Sequence, residues 1–161
     1  MARLEPGISV KLARPRDADL MAEMSRDYIE QGLPLWQWTG QRIRDALKDR
    51  ETCAILALRD SSIVGFAMMK FGDLRAYLML LAVHSAARRQ GVGSALYAWL
   101  EESVLVAGIN EIALEVRADN TGAHRFYESL GFKQERILPR YYCGRLAAHR
   151  MTRIVGTPDS E

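Results

Sequence analysis

The sequence predicts an α/β fold with a mixed sheet. About seven central strands are flanked by four helices, in the order β-α-α-β-β-β-α-β-α-β-β. Three observations predict this. Period-two and continuously apolar runs recur along the chain, with runs at helical spacing between them. "TCAILAL" and "SIVGFAMMKF", joined around Arg59–Ser62, carry an antiparallel hairpin signal. "AYLMLLAV", "RRQGVGSALYAWLEE" and "EIALEV" form a strand, glycine loop, helix and strand, the pattern of a crossover between parallel neighbours.

The elements follow in chain order. "ISVKLA", Ile8 to Ala13, alternates apolar and polar residues and reads as a half-buried strand. Asp17 then stands as an N-cap, and Leu20, Met21, Met24 and Tyr28 follow at helical spacing. "QGLPLWQWTG" is a loop punctuated by Gly and Pro. Thr39 caps a second helix over Gly40 to Lys48, with Ile43 and Leu47 on one face. After the hairpin, Ala76 to Val83 is so continuously apolar that burial on both faces is expected. Val92, Ala95, Leu96, Trp99 and Leu100 form one stripe of the next helix, which Gly108 ends. Glu111 to Val116 is a strand. In "NTGAHRFYESLGF", Ala123, Phe126, Tyr127 and Leu130 share a stripe, and Gly131 takes the position after the C-cap. "FKQERIL" and "AAHRMTRIV" are the last strands, with "RYYCGR" a loop between them.

Bulk properties narrow the class. A length of 161 residues fits one domain, expected over 1–155, with the polar tail 156–161 disordered. Lys and Arg number 22 against 20 Asp and Glu, which gives no footprint for a dedicated nucleic-acid binder. Cys53 lies in an apolar run and Cys143 in a loop, and nothing favours a disulfide between them. His84, His124 and His149 show no metal-ligand spacing, so no metal is expected. The start lacks the apolar core of a signal peptide, and no run approaches the ~18 apolar residues that cross a membrane. The expectation is a soluble, cytoplasmic protein with no nucleic-acid or membrane partner, a monomer or homodimer.

The glycine loop carries the chemistry. A helix N-terminus leaves N–H donors unsatisfied at the positive end of the helix dipole, where anions bind. Glycines let a phosphate approach the backbone with no Cβ in the way. Arg88, Arg89, Gln90, Gly91, Val92, Gly93 and Ser94 therefore read as a pyrophosphate cradle, with a plain turn before a glycine-tolerant helix start as the lesser alternative. There is no Gly-Lys-Ser/Thr and no G-x-G-x-x-G, which excludes the triphosphate P-loop and the dinucleotide fingerprint.

Arg88-x-x-Gly91-x-Gly93 resembles the acetyl-coenzyme A signature of the GNAT-family N-acetyltransferases, and "NTGAHRFYESLGF" resembles that family's second signature. "LEVRADN…FYESLGF…RYY" looks most like the ribosomal-protein-alanine N-acetyltransferase branch. The resemblance implies a GNAT-like fold and acetyl transfer from acetyl-CoA, as co-substrate, directly to a primary amine. The acceptor it implies is a protein or peptide N-terminal amine or lysine. A small-molecule amine (polyamine or antibiotic) and a non-catalytic acyl-CoA-binding module are the alternatives. The resemblance further implies Glu115 as general base and Tyr127 as general acid. Glu115, at a strand end, can equally pair with Arg117 or a neighbour, and Tyr127 falls on a core stripe. By resemblance Leu81, Ala82 and Val83 bind the pantetheine arm through freed backbone groups, and Asn120 adds a cofactor contact. Trp36 and Trp38, against Tyr141 and Tyr142, would wall the acceptor groove; the indoles can instead cap the core.

Overall fold

The computed structural model describes residues 7–156. Its strands are β1 (Ile8–Leu12), β2 (Thr52–Arg59), β3 (Ser62–Phe71), β4 (Ala76–Val83), β5 (Glu111–Arg117), β6 (Lys133–Tyr142) and β7 (Leu146–Ile154). Its helices are α1 (Ala18–Tyr28), α2 (Gly40–Leu47), α3 (Val92–Val106) and α4 (Thr121–Ser129). All seven strands join one sheet in the order β1-β2-β3-β4-β5-β7-β6. The element order is the one expected from the sequence. The disordered tail expected from residue 156 falls, over 157–161, outside the described residues.

Two apolar clusters cover opposite faces of the sheet. On one, α1 and α2 pack Met21, Met24 and Ile43 against Leu56, Phe66, Met68 and Leu80. On the other, Leu96, Leu100 and Val104 of α3 and Tyr127 of α4 pack against Ile55, Met69, Leu78 and Ile112. Each large aliphatic or aromatic side chain fully removed from water contributes about 1.5–3 kcal/mol before entropy is counted, so these clusters drive the fold. Both C-terminal caps are as expected. Gly108 (φ 78°) and Gly131 (φ 97°) take the left-handed position, and Ile109 and Phe132 donate back to Val104 and Tyr127.

β4 and β5 are parallel neighbours, but only Ala76–Leu78 pair with Ile112–Leu114. Beyond that the two strands diverge. A bulge at Met79 breaks the β3–β4 register, which resumes at Met68↔Leu80. It switches the strand from a Leu78 directed at α3 to a Leu80 directed at α1 and α2. Where the strands part, a gap opens through the sheet.

Four local expectations are corrected. Asp17 does not cap α1; its carboxylate accepts from the Arg14 N–H (2.8 Å), closing a single 3-10 turn ahead of the helix. Leu20, at helical spacing with Met21 and Met24, points to solvent because those two already fill the inner face of α1. β4 is not sealed on both sides: Tyr77, Met79, Leu81 and Val83 are half-buried, since one flank faces open space. "RYYCGR" is not a loop throughout, since β6 runs through Tyr142 and only the three residues Cys143–Arg145 make the turn into β7. Cys143 (φ 52°) and Gly144 (φ 67°) both have positive φ, as a tight hairpin turn demands.

Candidate active site

Two cavities meet at the divergence of β4 and β5. The smaller, about 70 Å³, holds Leu81, Asn120, Ala123 and Tyr127. The larger, about 590 Å³, lies on the α1–α2 side and holds Trp38, Arg42, Lys70, Tyr77, Tyr141 and Cys143. Ile29, Leu78, Met79, Leu80, Glu115 and Tyr142 line both. The residues expected to act as acid and base therefore flank one junction, with the small cavity behind it and the large one in front.

Glu115 is held by its strand opposite Arg150 of β7. Arg150 donates from Nε to Glu115 Oε1 (3.0 Å) and from Nη2 to the same oxygen. That hydrogen bond, against the opposing effect of burial, pushes the Arg150 pKa above its ordinary value. Arg117 is not the partner. Its guanidinium holds Asp119 and reaches the carbonyls of Ile29 and Gln31, tying the segment after α1 to the end of β5.

Tyr127 is buried, with Phe126 and Phe132 edge-on to its ring. Desolvation pushes its phenol well above the ordinary tyrosine value, so the proton stays on oxygen at neutral pH. Tyr142 is raised chiefly by burial, and then by Tyr141 and Glu115. Asn120 caps α4, its Oδ1 accepting from the Ala123 N–H (3.0 Å). That bond holds the residue at the wall of the small cavity.

The glycine loop has the form an anion needs. Gly91 is the N-cap of α3 at φ 78°, and no side chain occupies the cap. The first helical bond is Ala95 N–H to Gly91 O (3.0 Å), so Val92, Gly93 and Ser94 supply the first-turn donors that a helix leaves free. A Cβ on Gly93 would stand 3.2 Å from Phe126 Cζ, so this glycine also lets α4 approach α3. These residues lie outside both cavities. His84 donates to Val64 O (2.8 Å) in register with β3; alternation along the ladder turns the backbone groups of Leu81 and Val83 to the gap.

Ala82 and Trp36 depart from expectation. By the same alternation the backbone of Ala82 is directed at β3, and its side chain is buried against the α1–α2 cluster. The Arg88 guanidinium lies 5.4 Å from the Tyr28 ring centroid, a cation–π contact. Arg89 (φ 62°) and Gln90 complete the turn beside it. Trp36 neither lines a groove nor caps the core. It is 55% exposed with Arg26 over its ring, because the cavity wall is already formed by Trp38.

Other lining residues escaped the sequence reading. Glu30 is buried and accepts from the N–H groups of Gln37 (2.8 Å) and Trp38 (3.3 Å), which folds the 30–38 loop over the larger cavity. Tyr77 and Lys70 face each other across β3 and β4. The period-two pattern of both strands held that signal, but only their pairing makes it legible. Arg42 stacks over Trp38 at 4.0 Å. Among the described residues no group of His, Cys, Asp and Glu is placed to hold a metal ion, and no helix is long and apolar enough to cross a membrane.

Comparison with known proteins agrees with this architecture. The chain is 35% identical over 91 residues to an uncharacterized N-acetyltransferase of Methanocaldococcus jannaschii, a match spanning 56% of this chain and 58% of that one. It is 28% identical to an N-alpha-acetyltransferase of Sulfurisphaera tokodaii, over 88% of this chain and 90% of the relative. It is 31% identical to the ribosomal protein bS18-alanine N-acetyltransferase of Escherichia coli, over 71% and 77%. Among solved structures, Ard1 from Thermoplasma volcanium superposes with a TM-score of 0.82 at 28% identity, over 94% of this chain and 99% of that one. The Arabidopsis thaliana NAA60 complex with acetyl-CoA shares the fold, with a TM-score of 0.80 at 17% identity over 93% and 99%. The sequence model of the acetyltransferase (GNAT) family matches residues 18–132. With its fold, its parted central strands and this match, the chain belongs to the GNAT family of acetyltransferases.

Proposed function

We propose that the protein transfers an acetyl group from acetyl-CoA to the primary amine of a peptide or protein N-terminus. The observation that carries this reading is the junction of the two cavities, where Glu115 and Tyr142 line both and Tyr127 stands just behind.

The residues present fit acetyl-CoA as co-substrate, which supplies an activated acetyl thioester. The uncapped first turn of α3 would hold its diphosphate. The backbone of Leu81 and Val83, facing the gap, would pair with its amide-rich arm, as a strand adds to a sheet edge. A backbone N–H near Val83 also suits a developing oxyanion.

Glu115 takes the proton that an ammonium must lose before it can attack, since an α-amino group has a pKa of roughly 8. Both Arg150 bonds use Oε1, so Oε2 is the oxygen free to receive it, directly or through water. Tyr127 holds the opposite proton. Its buried phenol stays protonated and can pass its hydrogen to a departing thiolate.

A polyamine acceptor suits the larger cavity poorly, because Arg42 and Lys70 line it alongside Glu30 and Glu115. The relatives' descriptions as N-alpha-acetyltransferase and ribosomal protein-alanine N-acetyltransferase support a peptide amine. Incubation with acetyl-CoA and proteome-derived N-terminal peptides, read by mass spectrometry, tests the reading. Acetylated α-amines are expected. Thiol release only with small amines, or none with any amine, would overturn it.

A further inference from the structure

The larger cavity has a polarity of its own. Glu115 stands at the inner end, at the junction. Arg42 and Lys70, both exposed cations, line the same cavity from α2 and β3. Arg42 is held in place rather than free to wander: its ring contact with Trp38 is 4.0 Å, and Nη1 donates to Gln37 O (3.3 Å). Among the described residues no carboxylate forms a salt bridge with it. Lys70 pairs with Asp49 at 3.5 Å, but both side chains are well exposed, and such a pair is held weakly.

The sheet register sets the spacing. Lys70 lies opposite Tyr77, and Tyr77 lies opposite Ala113. Glu115 is two residues further along β5. Two strand spacings and two residues of rise put about 12 Å between the backbones at Lys70 and Glu115. An extended peptide advances roughly 3.3–3.6 Å per residue. Once the reach of the lysine stem is allowed for, a chain whose amine sits at Glu115 brings its second or third side chain to Lys70, with Arg42 on the wall of the same cavity.

We infer that this cavity selects peptide N-termini bearing Asp or Glu at the second or third residue, with Arg42 and Lys70 receiving the carboxylate. The inference rests on the proposed acetylation of peptide amines and specifies which ones. Free aspartate and glutamate carry the same two groups, but their carboxylates lie too near the amine to span the distance.

The test uses three peptides identical except at residues two and three, where they carry Asp-Glu, Ala-Ala or Lys-Lys. Acetylation gives kcat/KM, and calorimetry in the presence of coenzyme A gives Kd. The acidic peptide is expected to exceed the basic one about tenfold in both, the size of two partly screened contacts, and to lose its lead as salt is raised. In the Arg42→Glu/Lys70→Glu double variant the order of acidic and basic peptides inverts. The wild-type ranking needs no variant to fold. Equal values for all three peptides would overturn the specificity and leave acetyl transfer standing. No turnover with any peptide would overturn both. Faster turnover of free aspartate than of the acidic peptide would overturn the peptide acceptor.

Discussion

Glu115 on β5 and Arg150 on β7 stand directly opposite in an antiparallel ladder, and two nitrogens of the guanidinium converge on one carboxylate oxygen. The pair orients the carboxylate across the junction of the two cavities. Its two side chains are only 16% and 20% exposed, so neither charge is readily left alone. Arg150→Met should cost about 2–3 kcal/mol, because a lone carboxylate in a mostly buried site has lost its compensation. Chemical denaturation measures this. Glu115→Gln should lower kcat by roughly 10²-fold or more while coenzyme A affinity holds, the separation expected of a proton acceptor that does not grip the cofactor.

Tyr127→Phe removes a hydroxyl with no hydrogen-bond partner among the described residues. Stability should change by less than about 1 kcal/mol, whereas kcat should fall roughly 10–100-fold. Single-turnover assays alongside thermal melts check both. A loss of stability with full activity would reassign the tyrosine to the core.

Alkaline pH should destabilise the protein through its buried tyrosines. Tyr97, Tyr127 and Tyr142 all have raised pKa values, each chiefly from burial. An unfolded chain ionises its tyrosines at roughly pH 10. The folded pKa lies higher, so this contribution is fully present below pH ~10 and is lost as pH rises towards the folded values. The melting temperature should decline steeply above pH ~10, and Tyr97→Phe should make that decline shallower.

Gly91→Ala places a Cβ at φ 78°, where a side chain costs about 1–2 kcal/mol. It also narrows the bare first turn of α3. Coenzyme A affinity by calorimetry should fall several-fold or more. Gly108→Ala, at the same φ beyond the far end of α3, should show a similar stability loss with affinity unchanged.

Trp38→Ala should raise the KM for peptide about tenfold, since the indole lines the larger cavity and supports Arg42. Trp36→Ala should change it less than about twofold, because that ring lies outside. Steady-state kinetics with one peptide distinguishes the two.

Much of this was legible along the chain. Periodicity placed all seven strands and four helices, and Thr39 declared the start of its helix. These features are local: a cap or an apolar stripe is decided within four or five residues. The same locality misled at Asp17, where a competing 3-10 turn claimed the carboxylate, and at Tyr141–Gly144, where two residues of positive φ let a strand continue almost to its turn.

The sequence alone determined the architecture and the motif residues, because hydrophobic period and capping act between near neighbours. Tertiary structure decided the partners: Arg150 rather than Arg117 for Glu115, Trp38 rather than Trp36 for the cavity wall, and Tyr77, Lys70 and Arg42 as its lining. Those choices depend on strand register and on the bulge at Met79. Register is a property of two distant segments brought together, and no single stretch of chain carries it.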